Sequence, residues 1–89
     1  MEKGNDLLKN IESIHTTKLG IERIERNLSL NGAEVVEWCK ERIQSPDAVF
    51  TRRGKNWYVR EGGYCISVNA GSYTIITAHR EKEVQLKPE

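Results

Sequence analysis

The strongest constraint on this chain is a change of hydrophobic period at Ser45-Pro46-Asp47. Before that point apolar residues recur at helical spacing, and after it they alternate as in strands. Pro46 enforces the boundary, because the residue before a proline avoids the α region and the proline itself lacks a backbone donor. Strands joined by turns as short as those that follow must pair antiparallel. The expected class is therefore α+β, with two or three N-terminal helices packed on a four-stranded antiparallel sheet built as a meander of hairpins.

The first helix is expected from Asp6 to Ile14, with Asn5 as its N-cap and Leu7, Leu8, Ile11 and Ile14 as its apolar stripe. A second is expected from Thr17 to Leu28, with Ile21, Ile24 and Leu28 inward and Gly20 as a weak point. His15-Thr16-Thr17 is a faint break between them, so one bent helix is the alternative. The third has the clearest signature. Asn31 followed by Glu34 has the spacing of a capping box, and Val35, Val36, Cys39 and Ile43 share one face. The strands are expected at Ala48 to Arg52, Lys55 to Arg60, Tyr64 to Asn69 and Ser72 to His79, with turns at Arg53-Gly54, Gly62-Gly63 and Ala70-Gly71. Residues 1–80 read as one domain and 81–89 as a charged tail.

Composition narrows the class further. With 37% hydrophobic and 30% charged residues, the chain is apolar enough to bury a core and cannot be assigned to disorder. Cys39 and Cys65 are isolated from one another, so they form neither a CxxC motif nor a disulfide framework. Two lone thiols and the lack of a secretory pattern point to a reducing, cytoplasmic setting. No apolar run approaches the roughly 20 residues that span a bilayer, so no membrane role is expected. No metal-ligand spacing and no phosphate-cradling Gly-rich loop is present, so neither metal nor cofactor is expected.

The net charge of +1 conceals an asymmetry: residues 1–47 carry a net −2, residues 48–80 a net +4, and residues 81–89 a net −1. A basic strand region of this kind suits an anionic ligand, and RNA is the candidate partner. Arg52, Arg53, Lys55 and Arg60 are the candidate phosphate contacts, while Tyr58 and Tyr64 can stack on bases. In the last strand, strict alternation puts Tyr73, Ile75, Thr77 and His79 on one face. His15 and His79, with Thr77 and Arg80, are the candidate catalytic groups. Imidazoles accompanied by cations can cleave RNA without a metal, one accepting the 2′-hydroxyl proton and another protonating the leaving oxygen. Plain structural roles remain open for each: a cap for His15, a strand-end surface residue for His79, packing for the aromatics. Trp38 lies off the Val35–Cys39 stripe and marks a contact with a protein partner or a second copy, burial at the edge of the stripe being the plainer alternative.

The phrases HTTKLGIERIERNL, GKNWYV and ISVNAGSYTIITAHR, at 15–28, 54–59 and 66–80, resemble a small uncharacterised family of bacterial domains. More distantly, the order of elements resembles the colicin D, colicin E5 and RelE-like metal-independent ribonucleases. In that likeness His15, Arg23 and Arg26 fall on the helical motif, and Ile75-Ile76-Thr77 with Arg80 on the terminal strand. The resemblance implies an acid or base role for His15 and phosphate contacts for Thr77 and Arg80. Two functions of different class stay open: a toxin-like endoribonuclease, and a non-catalytic RNA-binding or protein-interaction module using the basic sheet face.

Overall fold

The computed structural model describes residues 5–81. Its elements run α1 (Asn5–Lys9), a short 3-10 turn (Ile11–Ser13), β1 (His15–Thr16), α2 (Lys18–Leu28), a second 3-10 turn (Gly32–Glu34), α3 (Val35–Ile43), β2 (Val49–Arg53), β3 (Asn56–Glu61), β4 (Tyr64–Asn69) and β5 (Thr74–Arg80). The sheet has five strands in the order β1-β5-β4-β3-β2. The expected meander forms, but a fifth strand lies at its edge, and β1 pairs with β5 in parallel, His15 opposite Thr74 and Thr16 opposite Ile75.

That fifth strand corrects two expectations. The first helix stops at Lys9 instead of reaching Ile14: Asn10 turns back on it, its amide and side chain both donating to the Asp6 carbonyl. His15 is then strand rather than an inter-helix link or a cap, and its amide donates to the Tyr73 carbonyl. The β-branched Thr16 and Thr17 suit extended backbone. The Asn5 side chain, expected as a cap, and the tail from 82 onward lie outside the described residues.

Thr17 caps α2, its hydroxyl accepting from the Gly20 amide. Gly20 is buried where α2 crosses β5; a Cβ there would overlap the Thr16 hydroxyl and sit 3.2 Å from the Ile75 carbonyl. The feature that weakens the helix locally thus permits its close approach to the sheet. Asn31 does cap, but its side chain accepts from Ala33 at the head of the second 3-10 turn, and Glu34 makes no reciprocal bond. On α3, Val35, Cys39 and Ile43 are fully buried and Val36 only partly.

Gly54 has φ +60 in the β2–β3 loop, and Gly62 and Gly63 both have positive φ in the β3–β4 loop. These are the left-handed conformations that two-residue hairpin loops require. Between β4 and β5 the Asn69 side chain accepts from the Gly71 and Ser72 amides, so the strand begins at Thr74. Register then slips: Val68 pairs with Ile75 but Ser67 with Thr77, which leaves Ile76 as an extra residue. Strict alternation therefore fails in β5. Ile75 and Ala78 are both buried, and Thr77 and His79 do not share a face with Ile75.

The core lies between the helices and one face of the sheet, where Leu7, Ile14, Ile24, Val35, Cys39 and Ile43 meet Trp57, Val59, Ile66, Val68, Ile75 and Ala78.

Candidate nucleic-acid interface

The cross-strand register sorts the strand residues into two faces. Arg52, Trp57, Val68 and Ile75 form one row against the helices, Phe50, Val59, Ile66 and Ala78 the next, and Glu61, Tyr64 and Arg80 a third at the rim. The opposite face carries Thr51, Tyr58, Ser67 and Thr77 in one row, Val49, Arg60, Cys65 and His79 in another, and Arg53, Asn56 and Asn69 in a third. The buried residues of the helices pack on the first face, α2 reaches the second at its β5 edge, where the Asn27 side chain donates to Thr77 Oγ1, and none of these eleven residues is acidic.

A depression of about 420 Å³ opens there, lined by Thr51, Arg53, Tyr58, Arg60 and Cys65. Small-molecule pockets span about 300–1,000 Å³, so the space fits one base or a comparable group. Tyr58 stands near the middle of β3, its hydroxyl accepting from the Asn56 side chain. Arg53 and Arg60 flank it. Arg53 faces Asn56 across the hairpin, so the backbone positions of the two arginines lie about 13 Å apart along the strand direction at about 3.3 Å per residue. Cys65 lies at the base; burial pushes its thiol above the ordinary value, Glu81 adds to the rise and Arg60 opposes it.

The other expected residues are dispersed. Arg52 lies on the helix-facing side with its guanidinium over Trp57, its Nε donating to the Gly54 carbonyl, and Lys55 sits exposed in the turn. Tyr64 does not share a face with Tyr58. It meets Trp38 edge-on at 5.0 Å, with Arg80 over its own ring and Arg42 over that of Trp38. The Trp38 ring is thereby half-buried and engaged within the chain. Arg23 and Arg26 are exposed on α2.

The structure divides the four proposed catalytic groups between the ends of β5. His15 pairs at Thr74, five residues before His79, about 16 Å along the strand at about 3.3 Å per residue. Thr77 and His79 share the uncovered face, while Arg80 turns to Tyr64. His15 instead joins a hydroxyl cluster. Its Nδ1 lies 2.8 Å from the Ser13 carbonyl, which can only accept, so Nδ1 carries the proton. Its Nε2 lies 3.1 Å from Thr74 Oγ1, which lies 2.7 Å from Ser72 Oγ. Tyr73, between those two hydroxyls, has φ +61.

Thr51 and Glu81 went unnoticed as site residues. Alternation through β2 could have placed Thr51 beside Arg53, whereas Glu81 carried no signal.

Among the described residues no three His, Cys, Asp or Glu converge as metal ligands, and no helix is long and apolar enough to cross a membrane. No curated protein and no solved structure matches the chain at a significant level. Residues 8–79, however, match the family model for DUF3781, described as a protein of unknown function, and the chain belongs to that family.

Proposed function

We propose that this protein binds single-stranded RNA on the sheet face its helices leave uncovered, with a base against Tyr58 and the flanking phosphates at Arg53 and Arg60. The observation that carries the reading is the 420 Å³ depression on a sheet face whose eleven strand residues include two arginines and no acid. Aromatic and cationic side chains on an open sheet suit splayed bases and a phosphate backbone, whereas a duplex hides its base faces.

Fluorescence anisotropy with a labelled single-stranded oligoribonucleotide tests it. Stacking is worth about 1–3 kcal/mol per base, so Tyr58→Ala should weaken binding by about 5- to 150-fold. Arg53→Ala should weaken it and flatten its salt dependence. Binding indifferent to both substitutions, or no binding at low salt, would rule the reading out.

A second reading, metal-independent cleavage of RNA, draws on His15. With Nδ1 protonated against the Ser13 carbonyl, Nε2 is the atom left to accept a proton. Purified protein should then cleave mixed RNA in excess chelator, and identically prepared His15→Ala should not. Equal activity in both preparations removes His15 from catalysis.

A further inference from the structure

The rim of the depression carries an ion pair that the sequence did not announce. Arg60 Nε lies 3.0 Å from Glu81 Oε2. The carboxylate is not on a free arm, because the Glu81 amide donates to the Gly63 carbonyl at 2.7 Å and ties the residue to the β3–β4 turn. Arg60 is still 59% exposed, and Glu81 30%. The guanidinium is thus reachable from solvent while one of its donors is already engaged by an oxyanion. Arg60, Cys65 and His79 form one cross-strand row, and among the described residues Glu81 is the acidic group that meets it, Glu61 lying on the helix-facing side.

We propose that the Glu81 carboxylate is a built-in stand-in for an RNA phosphate at Arg60, and that RNA must displace it to occupy the full depression. The proposal rests on the RNA-binding reading and adds to it an anion subsite at Arg60 and a competitor for that subsite. A carboxylate and a phosphodiester each offer arginine a pair of anionic oxygens, and guanidinium can bind either through the same donors. An exposed pair of this kind shifts an equilibrium by about 5-fold at most, so the competition tunes affinity without abolishing it.

The test compares RNA affinity of wild type, Glu81→Gln, Arg60→Ala and the double variant, with Glu22→Gln, on exposed α2, as a control for net charge. Glu81→Gln should bind about 2- to 5-fold more tightly. The gain should vanish in the Arg60→Ala background and be absent from Glu22→Gln. Equal affinities for Glu81→Gln and wild type, or an equal gain in Glu22→Gln, would overturn the proposal while leaving RNA binding intact. If no variant binds RNA, the RNA reading fails, and a pyrophosphate titration followed through the Arg60 Nε–H resonance decides the subsite. Tighter pyrophosphate binding by Glu81→Gln supports it, and identical titrations overturn it.

Discussion

At Cys39 burial dominates the chemistry. The side chain is fully enclosed on α3, and its thiol is pushed up from 9.0 to about 12 by desolvation, with Arg42 opposing the rise. The folded state therefore holds this proton more tightly than the unfolded chain does. The associated stability is fully present below about pH 9 and is lost as pH rises toward about 12, at up to about 1.4 kcal/mol per pH unit. Urea midpoints measured at about pH 8 and about pH 11 should fall further for wild type than for Cys39→Ala. Parallel falls would show that other groups govern the alkaline limb. Cys65, by contrast, faces the depression and has Arg60 and Glu81 as neighbours.

Between elements, the contact of α2 with β5 turns on Gly20. Helix propensity alone predicts that Gly20→Ala stabilises by about 1 kcal/mol. The structure predicts the opposite sign. The new methyl would collide with the Thr16 hydroxyl, which is itself fixed by donating to the Ile75 carbonyl at 2.8 Å. Overpacking of this kind costs about 1–3 kcal/mol, so chemical denaturation should show net destabilisation. A more stable variant would mean that α2 can lift from the sheet freely. The bulge at Ile76 is the other element-scale device. It turns Ile75 and Ala78 both into the core and leaves Thr77 and His79 on the uncovered side. Asn27 of α2 then donates to the Ala78 carbonyl, covering part of the β5 edge that β1 is too short to pair.

Over the whole molecule, the helices stack on one side of the sheet and leave the other open, and of the five cations in 48–80 Arg53 and Arg60 lie on that open face. Affinity for RNA should then come from few phosphates. Each contributes a log–log salt slope of about −0.7 on single strands, so contacts at Arg53 and Arg60 give about −1.4. A much steeper slope in the anisotropy series would place the ligand across more of the surface than this face.

The sequence by itself determined the change from helical to strand period at Ser45-Pro46, the hairpins at Gly54 and Gly62-Gly63, the buried stripe Val35–Cys39–Ile43, and the shared face of Asn56, Tyr58 and Arg60. All of these follow from local rules: side-chain period, turn φ and a proline's missing donor. The tertiary structure alone decided the rest. His15–Thr16 became a strand because β5, 59 residues away, offered it an edge, and a two-residue pairing leaves no periodicity to read. The bulge at Ile76 inverted an alternation that looked regular along the chain. Tyr64 parted from Tyr58 because the Gly62-Gly63 loop sets Tyr64 opposite Glu61, on the helix side. Glu81 reached Arg60 because β5 ends beside the β3–β4 turn. Each of these depends on which strands meet and in what register, and that is settled by packing across the molecule.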